Sequence, residues 1–154
     1  MGITTKTGDK GWTSTLKRRV KKTSNLINLI GALDKLISFA GILAKYDKRF
    51  IEIQIQIKKS LDKLANQEDI EEYLYKDLEK KIEDLEKNIE LKGFVRPYGD
   101  SAFIHYYRTL VREAERISWN LKYRNLSIFL NRLSDYVFLI AINMSIQNQE
   151  LFYF

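Results

Sequence analysis

The feature that most constrains this chain is how rarely it can be interrupted. Proline occurs once in 154 residues, at Pro97, and glycine only seven times. Gly8 and Gly11 fall in the opening stretch, and Gly93 and Gly99 flank the proline. Proline removes a backbone donor and glycine loosens the chain, so these residues punctuate regular structure. Between the two clusters the chain is nearly free of breakers, and long helices are the expected result.

Hydrophobic spacing agrees. Leu26, Leu29, Ile30, Leu33, Leu36, Ile37, Ala40 and Leu43 recur at steps of three and four, which predicts a helix from Asn25 to about Lys45, capped by Thr23 or Ser24. Within Phe50 to Ala65, "IEIQIQI" alternates like a strand, whereas Ile57, Leu61 and Leu64 have helical spacing. A lone strand would have no partner, so a helix is expected there. Glu71 to Lys92 carries a narrow seam of Leu74, Leu78, Ile82, Leu85 and Ile89 on a highly charged helix, suited to the outside of a bundle. After the loop "GFVRPYGDS", Asp100 or Ser101 can cap a helix running to about Tyr123, with Phe103, Tyr107, Leu110, Ala114, Ile117 and Leu121 on its core face. A last helix, about Ser127 to Asn148, buries Leu130, Leu133, Val137, Ile140 and Met144. Five helices with short connections make an all-α five-helix bundle in one domain, residues 1–154. The closing "LFYF" is too apolar for a solvated end and is expected to dock on the bundle or on another subunit.

Composition narrows the chemistry. With no cysteine and one histidine, thiolate sites, disulfides and multi-histidine metal centres are excluded within one chain. The N-terminus lacks an apolar stretch, and the longest apolar run, Tyr136 to Ile142, is short of the ~20 residues a membrane helix needs. A cytoplasmic protein is expected. The net charge of +6, with Lys17, Arg18, Arg19, Lys21 and Lys22 clustered near the N-terminus, favours polyanions without choosing among nucleic acid, phospholipid and nucleotide phosphates.

Four polar sets call for explanation. Arg108, Arg112 and Glu115 share a helix face, which is either a solvated face or a guanidinium fork for a polyphosphate. Asp34 sits between Leu33 and Leu36, either exposed beside the apolar stripe or paired with an arginine at an interface. Asn131 and Asp135 are one turn apart on the final helix. The opening "TTKTGDKGWTS" is either a flexible tail or a phosphate nest, in which glycines let N–H groups converge on an anion. It lacks the spacing of a Walker P-loop.

Taken together, these stretches resemble the PduO-type ATP:cob(I)alamin adenosyltransferases. "TKTGDKGWTS" (Thr5 to Ser14) is similar to the family's N-terminal threonine-arginine-threonine-glycine-aspartate-lysine-glycine motif. "RVKK" (Arg19 to Lys22), "GALDKLISF" (Gly31 to Phe39), "FVRPYG" (Phe94 to Gly99), "HYYRTLVREAER" (His105 to Arg116) and "FLNRLSDYVF" (Phe129 to Phe138) resemble five further family motifs in the same order. The likeness spans nearly the whole chain apart from about Tyr46 to Lys92.

The resemblance implies a homotrimer with active sites between subunits. ATP, with magnesium, binds through an N-terminal loop, residues 1–23 here. Reduced cobalamin, as Co(I), attacks the 5′ carbon of ATP, giving adenosylcobalamin and triphosphate. Thr7, Gly8, Lys10, Gly11, Thr13 and Lys22 would cradle the phosphates, and Arg108 and Arg112 would neutralise the triphosphate. Asp34 would pair with Arg108 across the subunit interface. Glu115 and Asn131 would line the nucleotide pocket. Phe94 would press on the lower face of the corrin, leaving cobalt four-coordinate and easier to reduce. A cobalamin reductase is an expected partner; a membrane and nucleic acid are not.

The sequence departs from the family pattern at Trp12, at Lys35 for a glutamate, at Ile37 for an asparagine, at Arg96 and Tyr98 for a leucine and a glycine, and at Glu113 for an arginine. The segment from Phe94 to Arg108 is about two residues short. These departures leave two alternatives beside an active transferase. One is a diverged relative that binds ATP without transferring adenosyl. The other is a basic helical module that binds nucleic acid.

Overall fold

The computed structural model describes residues 3–154, so the first two residues of the expected 1–23 loop lie outside it. Among the described residues the chain forms five helices: α1 (Asn25–Leu43), α2 (Arg49–Ala65), α3 (Tyr73–Glu86), α4 (Ser101–Trp119) and α5 (Arg124–Gln147). Two short antiparallel ribbons accompany them: β1 (Trp12–Ser14) with β2 (Arg19–Lys21), and β3 (Val95–Arg96) with β4 (Phe152–Tyr153). Helix α1 packs on α2 and α4, α4 on α5, and α5 on α3. The all-α bundle expected from the sequence is the observed one.

Each helix buries the stripe its periodicity marks. Ser24 caps α1 by accepting from the Ile27 N–H (3.4 Å), and Leu29, Leu33, Leu36, Ala40 and Leu43 are fully buried beneath it. "IEIQIQI" is helical: Ile53 and Ile57 enter the core while Ile51 and Ile55 stay exposed. The alternation therefore reflects a helix with isoleucines on both faces. Helix α5 is buried along most of its length, including Phe129, Leu130, Leu133, Val137 and Ile140. By length and composition α1 and α5 could each cross a membrane, yet each lays its apolar stripe against other helices of the bundle.

Several boundaries differ from expectation. Helix α3 ends at Glu86 rather than Lys92, although Ile89 still packs against the core. The apolar seam continues beyond the helix because packing on the core, not helix length, retains Ile89. Helix α4 begins at Ser101, but neither Asp100 nor Ser101 caps it through the side chain; the Ser101 hydroxyl donates to the Tyr98 carbonyl (2.8 Å). Its buried face is Ile104, Tyr107, Val111, Ala114 and Ser118, so the stripe is turned slightly from the expected one and Phe103 lies half-exposed against Tyr46.

Helix α5 starts three residues earlier than Ser127, at Arg124, because its N-terminus is capped from a distance. The Asp69 carboxylate accepts from the Asn125 and Leu126 N–H groups (2.9 and 3.0 Å), where the helix dipole favours negative charge. The Asn125 amide returns a hydrogen bond to the Ile70 carbonyl (2.9 Å). Asp69→Ala should therefore lower stability by about 0.5–2 kcal/mol, the usual cost of losing a cap, read from denaturant midpoints.

Candidate functional site

The opening stretch is structured. Thr15 and Arg18 close a turn between β1 and β2, with the Thr15 N–H donating to the Arg18 carbonyl (2.8 Å) and Trp12 paired opposite Lys21. The Lys21 ammonium lies 5.8 Å from the centre of the Trp12 ring, which gives this departure from the family motif a partner within the hairpin. The Arg19 guanidinium donates to the Thr7 carbonyl (2.6 Å), and the Thr5 and Thr7 hydroxyls are 3.0 Å apart.

The two glycines have distinct reasons. Gly11 has φ +78°, a left-handed conformation that side chains disfavour. At Gly8 a Cβ would lie 2.8 Å from the Lys22 ammonium nitrogen, so glycine is what lets Lys22 come against the loop. Lys10 is exposed and Thr13 half-buried. The Asp9 and Gly11 N–H groups donate to the Lys6 and Gly8 carbonyls (3.4 and 3.1 Å). In this conformation the loop is therefore a pair of turns rather than an open phosphate nest. Among the described residues, no hydrogen bond or ion pair joins the hairpin to Arg108 or Arg112.

Arg108 and Phe94 do come together. Both line a cavity of about 280 Å³, closed by Val95, Pro97, His105, Thr109 and Phe138. The Arg108 guanidinium lies 5.2 Å from the centre of the Phe138 ring, and its Nε is buried without a hydrogen-bond partner. Burial and the neighbouring Arg112 both hold its pKa below the ordinary arginine value, and Asp135 offsets this only in part. A half-buried cation with an orphaned donor is set up to receive an anion. Arg112 is exposed, so the two arginines of the expected fork differ in environment.

Phe94 is 78% exposed at the cavity mouth, its ring 6.0 Å from that of Phe154. Phe138 also borders a neighbouring hollow of about 400 Å³, lined by Ile89, Leu91, Asp135 and Leu139. A larger hollow of about 510 Å³ between α2 and α3 includes none of the expected site residues.

Glu115 and Asn131 are brought together as well. The Glu115 carboxylate accepts from the Trp119 indole (3.1 Å) and from the Asn131 amide (3.5 Å). The Asn131 oxygen accepts from Arg132 (2.7 Å), which also donates to Glu79 (2.9 Å). Asp34 stands apart: it is exposed and, among the described residues, makes neither a hydrogen bond nor an ion pair. Within the single chain it does not meet Arg108.

Two of the departures explain each other. Lys35 on α1 and Glu113 on α4 form an ion pair (3.6 Å). Relative to the family pattern, acid and base have exchanged places between two packed helices. The negative charge at Glu113 is therefore balanced locally rather than set against the Arg108 and Arg112 pair.

His105 and Phe138 are cavity residues that sequence reasoning did not assign. Phe138 lies three residues after Asp135, a helical step that places both on one face. The His105 ring meets Phe138 edge-on (5.8 Å), and its Nε2 is buried without a partner. Burial, reinforced by Arg108, pushes its pKa below the ordinary 6.5. The unfolded chain then takes up a proton that the folded chain resists, so this contribution to stability is present above 6.5 and is lost as pH falls below it. Replacing His105 with glutamine should flatten the stability profile between about pH 5 and 7, measured as denaturant midpoints across that range.

Comparison with known proteins identifies the family. The family model for cobalamin adenosyltransferase matches residues 3–144. The corrinoid adenosyltransferase of Bacillus subtilis is 32% identical over 166 residues, covering 92% of this chain and 85% of that protein. The human corrinoid adenosyltransferase MMAB is 29% identical over 181 residues, covering 98% of this chain and 72% of its own length. Among solved structures, a PduO-type ATP:corrinoid adenosyltransferase from Lactobacillus reuteri, a phenylalanine-to-histidine variant complexed with cobalamin and ATP, superimposes with a TM-score of 0.88 at 26% identity, covering 99% of this chain and 96% of that one. An arginine-to-lysine variant from the same source, complexed with ATP, gives 0.84 at 27% identity, with 96% of each chain covered. The chain belongs to the cobalamin adenosyltransferase family and is, by that membership, an ATP-dependent corrinoid adenosyltransferase.

Proposed function

We propose that the cavity shared by Phe94 and Arg108 is where the 5′-deoxyadenosyl group of ATP passes to the cobalt of a reduced corrinoid. The observation that carries this assignment is Arg108: a half-buried guanidinium with an unpartnered Nε, facing the same hollow as an exposed phenylalanine. In the reaction the Co(I) electron pair forms the Co–C bond to the 5′ carbon. The C–O bond to triphosphate breaks, and the leaving group takes its electrons and gains negative charge. Arg108 and Arg112 stabilise that growing charge, which a low-dielectric wall strengthens. Phe94 supplies an apolar surface that excludes water from the lower face of the corrin and cannot itself ligate cobalt. A four-coordinate cobalt is then easier to reduce.

The hairpin loop supplies the other phosphate contacts. Thr7, Gly8, Lys10, Gly11, Thr13 and Lys22 bind the triphosphate once the Asp9 and Gly11 turns open. Glu115 and Asn131 line the nucleotide pocket. The protein works as a homotrimer, in which Asp34 meets Arg108 across the subunit interface and orients it. The basic residues Lys17 to Lys22 serve this anion rather than nucleic acid. Among the described residues, no three of His, Asp and Glu cluster as a metal site. A magnesium ion would enter with the triphosphate, bound to its phosphate oxygens. A cobalamin reductase supplying Co(I) in the cytoplasm completes the proposal.

Purified protein mixed with ATP, magnesium and chemically generated Co(I) cobalamin should form adenosylcobalamin, followed by its absorbance change. Absence of product would sink the assignment.

A further inference from the structure

Residues Lys87–Asp100 link α3 to α4 without a helix, and within that link Val95 is the one buried residue, with Ile89 half-buried against the core. Phe94 therefore has little packing of its own to fix it. What holds it is the C-terminal strand. Val95 pairs with Tyr153 and Arg96 with Phe152, and the Phe154 N–H donates to the Phe94 carbonyl (3.0 Å). Side chains reinforce the pairing. The Arg96 guanidinium lies 5.1 Å from the centre of the Phe152 ring, and Tyr98 meets the same ring edge-on at 5.2 Å. Phe152 is thus held by Arg96 and Tyr98, the two positions where this loop departs from the family's leucine and glycine.

We propose that β4 is a positioning strand: by holding Phe152 between Arg96 and Tyr98, it sets the backbone that aims Phe94 into the cavity. A short loop with one buried side chain samples many conformations, and each backbone hydrogen bond to a second strand removes some of that freedom. The strand lies outside the five-helix core and beyond residue 144, where the match to the family model ends. Its removal should leave the bundle folded while loosening Phe94. This proposal rests on the role assigned to Phe94, and the test separates the two.

The full chain is compared with a variant lacking residues 151–154, with Phe152→Ala and with Phe152→Tyr, each assayed from Co(II) cobalamin with a reductant and from pre-reduced Co(I). Truncation and Phe152→Ala should lower the Co(II)-started rate about tenfold more than the Co(I)-started rate, leave KM for ATP within about twofold, and leave helical content unchanged. Phe152→Tyr, which keeps the ring, should restore the Co(II)-started rate. Truncation added to Phe94→Ala should cost little beyond Phe94→Ala alone, because both act through one ring. Unchanged kinetics on truncation, or losses that add to those of Phe94→Ala, overturn the positioning strand while leaving Phe94's own role intact. Equal losses for Phe94→Ala from both starting states overturn that role and the strand's with it.

Discussion

Replacing Arg108 with alanine should slow adenosyl transfer from Co(I) by about 10²–10³-fold, the effect of removing one anion-stabilising donor from a site where charge develops. The size follows from where the guanidinium sits. Phe138 covers one face of it, the cavity wall half-buries it, and its Nε has no partner in its own chain. An exposed arginine would be screened by water and matter far less. Arg108→Lys keeps the charge but loses the planar fork, so it should recover only part of the rate. Near-normal turnover in the alanine variant, with the protein still folded by circular dichroism, would remove Arg108 from the reaction.

The second large effect is expected at Phe94. Its ring is 78% exposed, so Phe94→Ala should change stability little, because little buried area is lost. Activity should respond very differently. If the ring excludes the lower axial ligand, its loss makes reduction harder without touching the attack of Co(I) on ATP. Turnover started from Co(II) should fall about tenfold or more beyond turnover started from Co(I), an added barrier of about 1.4 kcal/mol. Comparable losses in the two assays would reduce Phe94 to ordinary packing.

Much of the architecture is legible in the sequence because helices are local. The steps of three and four from Leu26 to Leu43 predict α1 within two residues, and Ser24 caps it as its hydroxyl suggests. Where the expected boundaries fail, a distant partner is responsible. Asp69, on the loop between α2 and α3, extends α5 back to Arg124 by accepting from the N–H groups of its first turn. The alternation in α2 suggests a strand because it reports only that two faces are apolar, not what packs on them.

The site divides in the same way. Motif order alone links Arg108, Phe94 and the glycine-rich opening, since each motif is read along the chain. Sequence determined five amphipathic helices, a polar opening stretch with two glycines and the identity of the family. Tertiary structure decided which of those residues meet. It set Phe138 under Arg108, His105 into the cavity wall, Lys35 against Glu113 and the final strand against the Phe94 loop. Each of those contacts joins residues on different elements, or on separate turns of one, whose packing angle no local pattern encodes. The departures at Lys35 and Glu113 look like two independent losses along the chain. In the fold they are one ion pair, because α1 and α4 lie side by side.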